Sequence, residues 1–251
     1  LLSADVSKND LDGIGVTYGP GLAGSLLVGL STAKALALSL DIPLIGINHL
    51  EGHIMANTFS CPGLIPPFLT LIVSGGHTQL VLVHQWGEYE LIGRTRDDAA
   101  GEAFDKVAKL LSLGYPGGPY IEKRAREGDS GYIQFPRALD KKDNFDFSFS
   151  GLKTAVLNHV EKIGSSEASV HVEDICRCFQ DAVVDILARK TVAAAKKYGV
   201  SRICLAGGVA INKQLRSGVS HAARDEDIEV YLPPPSLCTD NGGMIAAAAH
   251  H

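Results

Sequence analysis

The chain has 251 residues, 45% apolar and 20% charged, which suits one large or two medium soluble globular domains. Its formal net charge of −5 leaves no global basic field to hold nucleic acid, so an RNA partner needs a local patch or a helper protein. Five cysteines (Cys61, Cys176, Cys178, Cys204 and Cys238), odd in number and irregularly spaced, argue against a disulfide framework and for a reducing cytosol.

The opening "LLSADVSKNDLDGIGV" reads as mid-domain. "GIGVTYG" is a short strand, and "GSLLVGLSTAKALALSL" has the spacing and small residues of a packed helix. "IPLIGIN" is a buried strand and "HLEGHIMANTF" a helix. "PPFLTLIVSGGHTQLVLVHQ" is a strand–turn–strand hairpin around Ser74–Thr78. "DDAAGEAFDKVAKLLSL" is a helix capped by Asp97 or Asp98, and "GYPGGPYIEKRAREGD" is a turn feeding another helix. Residues 132–149 are loop-like and aromatic. A long helix from about residue 170 leads to the strand "RICLAGG", the helix "VAINKQLRSGVSHAARDED", the strand "IEVYLPPP" and a last segment, "DNGGMIAAAAHH". Alternating strands and helices predict two α/β lobes. No apolar run is read as approaching a membrane span, and no secretory leader is visible, so a cytoplasmic location without membrane contact is expected.

His49 and His53 stand four apart at the start of a helix, on one face, where both imidazoles can grip one metal. Two ordinary polar residues would look the same. Glu51, two positions along, is rotated by roughly 200° from that face and is poorly placed to activate a metal-bound water. A peptidase of the H-E-x-x-H design is therefore disfavoured. "SLCTDNGG" offers Cys238 and Asp240 as further ligands, Asp240 alternatively as a helix N-cap. Gly75–Gly76, Gly117–Gly118 and Gly207–Gly208 stand at strand ends or turns, where backbone N–H groups can approach an anion. Neither a Walker nor a Rossmann pattern occurs, so the expected cleft is for a nucleotide held in another way. Asp105 can accept a ribose hydroxyl or pair with Lys109. Asn212 can reach a base or ribose, or bond the local backbone. Lys123, Arg124 and Arg126, and Arg137 with Lys141 and Lys142, are the places where a polyanion could dock.

Taken in order, "NHLEGH", "LIVSGGHTQLVLV", "DDAAGEAFDKVAKLL", "YPGGP", "DFSFSGLKTAV", "LAGGVAINKQLR" and "CTDNGGMIA" resemble the signature blocks of the TsaD (Gcp) family of tRNA adenosine threonylcarbamoyltransferases, in its bacterial branch. The resemblance runs from about Gly13 to Ala246. It implies an α/β, two-lobed, actin-like (ASKHA, RNase H-like) fold with ligand between the lobes. The first lobe would take residues 1–69 plus 240–251 and the second residues 70–239. Family members begin with a strand and a cleft-facing loop reading like "GIETSCDET", which this chain lacks. The resemblance implies one divalent metal, iron or zinc, on His49, His53 and Asp240. It implies that Ile72, Val73, Ser74, Gly75, Gly76, Asp105, Gly118, Glu122 and Asn212 hold threonylcarbamoyl-AMP, with Glu122 where many members carry aspartate. Implied partners are tRNA, a TsaB-like paralogue and a TsaE-like ATPase, with a TsaC-like synthase upstream. The rival expectations are a metallopeptidase, a non-catalytic scaffold paralogue and a kinase of the same broad fold.

Overall fold

A computed structural model describes residues 5–139 and 143–251. Lys141 and Lys142 lie outside the described residues. Two sheets organise the chain. In the smaller one, β1 (Ile14–Gly19) and β2 (Leu44–Asn48) run parallel and are joined by α1 (Ala23–Leu40). Two expectations fail here. β2 is not a buried strand, since Leu44 and Ile45 are each 37% exposed. α1 buries only Ala33 and Ala37, and its 18 residues are long and apolar enough by composition to cross a membrane. Serines, a threonine and Lys34 interrupt the run, yet Lys34 is its single charge among six Leu and four Ala.

α2 (His49–Met55) follows β2 directly, because Asn48 Oδ1 accepts the Leu50 N–H at 2.9 Å and caps the helix. A 3₁₀ turn, Ala56–Phe59, ends it. The larger sheet centres on β3 (Phe68–Val73), whose unbroken apolar run is buried on both faces. β4 (Thr78–Gln85) pairs antiparallel with β3, and β5 (Glu88–Arg94) antiparallel with β4. On the other side, β6 (Arg202–Ala206) and β7 (Glu229–Tyr231) add in parallel, giving the order β5-β4-β3-β6-β7. The expected hairpin is thus a three-strand meander. β5 was invisible because its alternation of charged and apolar residues belongs to a half-solvated edge, and only Gly87, at φ +84°, marks the turn.

One face of this sheet is packed by α3 (Ala100–Leu110), α4 (Gly117–Ala125), α5 (Ser150–Ile163), α6 (Ser165–Val170), α7 (Val172–Tyr198) and α8 (Lys213–Arg224) around the main core. The other face meets α2 through Ile54, Phe68, Ile72 and Val83. The chain closes with α9 (Pro235–Cys238) and α10 (Gly242–His250), which packs on α2 and β1.

Neither Asp97 nor Asp98 caps α3. Its first N–H groups go to the hairpin instead, Ala100 to Thr78 Oγ1 at 2.8 Å and Gly101 to the Ser74 carbonyl at 3.2 Å. Asp97 accepts the N–H groups of Phe149 and Ser150 and the hydroxyls of Ser148 and Ser150, so it caps α5 from a distance in sequence. The helix expected after Gly208 is broken into a 3₁₀ turn, Gly208–Ile211, and α8, with Asn212 as the cap between them. The aromatic loop lays Phe145, Phe147 and Phe149 into the core, and Lys190 Nζ pins it by donating to the carbonyls of Leu139, Asn144 and Asp146.

Candidate active-site cleft

Between the two sheets lies a cleft of about 1210 Å³. β1 and the Pro20–Leu22 loop form one wall, and the Ser74–His77 turn and Gly208 the other, with the start of α2 and the 239–242 segment at its base. Gly52 makes that base. A Cβ there would meet Ile245 Cδ1 at 2.8 Å and Met244 Cγ at 3.3 Å, so its absence lets α10 seat against α2. Asp240, just before α10, is thereby carried to the histidines. Asp240 Oδ1 is 3.4 Å from His49 Nε2 and 3.2 Å from His53 Nε2. Candidate ligand atoms of all three residues lie within 4.8 Å of one another. The alternative role for Asp240 is taken by its neighbour: Asn241 Oδ1 accepts the Met244 N–H and caps α10.

The donor set fits a divalent cation. Two imidazoles and a carboxylate converge on one point, and three protein ligands leave positions open for substrate. Burial, and then the adjacent His49 imidazole, push His53 down to about 4, so its ring is neutral near pH 7, as a ligand must be. Glu51 faces elsewhere, accepting a hydrogen bond from the Tyr89 hydroxyl at 2.9 Å.

Opposite this group, Ser74 Oγ accepts the His77 N–H and the Ser74 N–H reaches the His77 carbonyl, fixing the turn between β3 and β4. Gly75 and Gly76 have neither a left-handed φ nor any atom within 4 Å of a built Cβ. Neither backbone strain nor packing asks for glycine there. What glycine preserves is open cleft and bare N–H groups, a cradle that side chains would fill. Ile72 and Val73 bury their side chains in the core and can offer only backbone. Asp105 is not paired with Lys109. Its Oδ1 accepts the Gly117 N–H at 2.6 Å, and it lines a groove beside the cleft. Gly118 has nothing within 4 Å of a built Cβ. Glu122 accepts the Lys213 N–H at 3.1 Å. Asn212 is buried, accepts the Leu215 N–H and donates to Gln180 Oε1.

Against known proteins, the family model for TsaD, tRNA N6-adenosine threonylcarbamoyltransferase, matches residues 1–247. The chain belongs to this family. It is 52% identical over its full length to a tRNA N6-adenosine threonylcarbamoyltransferase of Clostridioides difficile, covering 74% of that relative. It is 54% identical over 98% of its length to one of Kosmotoga olearia, covering 73% of it. Full-length HypF shares the fold with a TM-score of 0.70 at 15% identity, over 96% of this chain and 38% of that one. The 2-hydroxyisocaproyl-CoA dehydratase activator of Clostridium difficile does so with a TM-score of 0.53 at 16% identity, over 92% and 81%. The fold is therefore the actin-like, two-lobed one expected, and the chain is a transferase. Two cleft residues escaped the sequence reading. His77 sits in the wall, its pKa lowered by burial and by His49, and Tyr115 stands at the lip, 81% exposed. The only hint was position: His77 directly follows Gly75–Gly76, and Tyr115 stands two residues before Gly117–Gly118.

Proposed function

We propose that the cleft transfers the threonylcarbamoyl group of threonylcarbamoyl-AMP to the N6 amine of the adenosine beside the anticodon, in tRNAs reading codons that begin with A. The observation that carries the reading is the metal-competent trio facing an open glycine turn across one cleft. The N6 lone pair is delocalised into the purine, so the amine is a weak nucleophile. Catalysis must come from a more electrophilic carbamoyl carbon and from alignment of the partners. His49, His53 and Asp240 would hold iron or zinc, which when bound supplies Lewis-acid polarisation of an acyl oxygen. The N–H groups of Gly75 and Gly76, beyond the Ser74 N–H that the His77 carbonyl takes, are suited to the phosphate of the departing AMP. Asp105, Gly118, Glu122 and Asn212 stand on α3, α4 and the start of α8, elements tied by the Asp105–Gly117 and Glu122–Lys213 bonds, and would hold the nucleoside beyond the cleft lining itself. The two sheets support a division into lobes near residues 69 and 239. A TsaB-like paralogue, a TsaE-like ATPase and an upstream TsaC-like synthase complete the proposed system, in the cytoplasm.

The test supplies synthetic threonylcarbamoyl-AMP, unmodified tRNA and zinc or ferrous iron, with the partner proteins added, and analyses nucleosides by mass spectrometry. Modified adenosine should form with wild type, and His53→Ala should lose both metal and transfer while keeping its circular dichroism spectrum. Absence of product with the metal-loaded protein and all partners would sink the reading. Glu51, held by Tyr89 away from the trio, supports transfer over peptide hydrolysis.

A further inference from the structure

Tyr115 is an unusual surface residue. Its ring is 81% exposed, yet it sits on a stiff turn. Gly114, at φ +109°, carries the face of Tyr120 against it, with a built Cβ only 3.2 Å from Tyr120 Cε2. Two residues on, Gly117 packs so tightly on α3 that a Cβ would lie 2.5 Å from the Phe104 carbonyl, and its N–H is held by Asp105. An exposed aromatic on a rigid base loses little entropy when something stacks on it.

Tyr115 also joins two concavities. It lines the lip of the cleft, and it lines a neighbouring groove of about 540 Å³ along α3 with Asp105, Lys109 and Ser112. Ser112 in turn borders a further hollow of about 320 Å³ with Tyr120, Lys123 and Arg124. The three hollows share rim residues, Tyr115 between the first two and Ser112 between the last two, and together form a trough leading from the cleft. Lys106 is engaged by Asp98 and Glu102, and Arg124 by Glu173. Lys109 and Lys123 are exposed and have no carboxylate partner among the described residues. Glu102, Asp105 and Glu127 line the same hollows, so the two lysines offer local donors beside two exposed tyrosines rather than a net basic patch.

We propose that this trough carries the RNA strand flanking the target adenosine, with Tyr115 as the platform on which a neighbouring base stacks and Lys109 and Lys123 as phosphate contacts. This rests on the transferase reading, because an adenine drawn into the cleft must leave its neighbours at the lip. Stacking on an aromatic face tolerates any base, which suits an enzyme acting on several tRNAs. Phosphate contacts then fix register without reading sequence.

The test uses an anticodon stem-loop RNA with 2-aminopurine beside the target adenosine, titrated into the full chain at low salt. Wild type should quench the fluorescence. Tyr115→Ala should abolish the quench and raise Kd roughly tenfold or more, the loss expected of one base–aromatic stack. Tyr115→Phe and Tyr115→Trp should preserve both. Lys109→Glu with Lys123→Glu should flatten the slope of log K against log salt by roughly 1.4, for two single-strand phosphate contacts. AMP affinity, measured by calorimetry, should be unchanged in Lys123→Glu alone, since Lys123 borders neither the cleft nor the groove that holds Asp105. Equal quench and Kd in wild type and Tyr115→Ala would overturn the proposal. So would a parallel loss of AMP binding, which would assign Tyr115 to the adenylate. The transfer assay reports separately on the reading beneath: product formed by wild type with Tyr115→Ala unimpaired would discard the trough and keep the transferase.

Discussion

At the scale of single residues, the cleft is built from side chains that give up alternatives. Asp240 leaves capping to Asn241, and Glu51 leaves the histidine face to bond Tyr89. His53 gives up its charge. Its Nε2 faces Asp240, and its buried Nδ1 has no hydrogen-bond partner among the described residues. This has a pH signature in the metal-free protein. The ordinary histidine pKa is 6.5, and the folded ring is held down to about 4 by burial first and by His49 second. Between those values the unfolded chain takes a proton that the folded ring refuses, so stability is lost as pH falls from 6.5 towards 4. At pH 5 the loss from this one group is about 2 kcal/mol. Urea midpoints at pH 7 and pH 5 should therefore differ more for wild type than for His53→Gln. Equal differences would mean that the imidazole is not held neutral.

At the scale of elements, two glycines in this region have opposite reasons to be glycine. Gly101 opens α3, and a Cβ there would meet the Ser74 carbonyl at 2.6 Å and the Gly75 Cα at 2.8 Å, both backbone. Gly101→Ala should push the turn, destabilise the fold by about 1–3 kcal/mol as an overpacked site does, and weaken AMP binding through the displaced N–H groups. Gly118 lies in the first turn of α4 with open space around it. Gly118→Ala should be neutral or stabilise by up to about 1 kcal/mol. A drop in AMP affinity in a variant whose melting temperature is intact would show that the ligand itself occupies the space; unchanged affinity would remove Gly118 from the site. α3, α7 and the apolar β3 and β6 were legible because their pattern is local. β5, the helix α5, the Asp97 cap and the break before α8 were not. An edge strand shows no continuous apolar run, and Asp97 finds its partners more than 50 residues away, at Ser148–Ser150. Asn212 ends one turn and starts another with a single side chain, which periodicity reads as one helix.

At the scale of the whole molecule, the site was legible as residue types but not as an assembly. The i, i+4 histidines name a helix face, whereas Asp240 is nearly 190 positions later and arrives only through the contact of α10 with α2 at Gly52. The surface was the least legible part. α1 was expected to be packed, yet it presents Leu22 at its cap and Leu27, Val28 and Leu38 along its length to solvent, since amphipathic spacing cannot say which face has a partner. Charge is legible in sum and not in place. With −5 overall, long-range attraction to RNA is absent, and the basic groups at Arg124, Arg137 and Arg189 are spent on Glu173 and Asp185. The chain alone should therefore bind tRNA weakly, in the micromolar range or above, through few phosphate contacts. Few contacts also mean a shallow salt dependence: with two to three single-strand phosphates, affinity should fall roughly 7- to 20-fold between 50 and 200 mM salt. Filter binding across that range measures it. A slope of six or more would reveal a basic surface that the described residues do not contain, and a tight, salt-insensitive complex would mean that shape and stacking, rather than charge, hold the RNA.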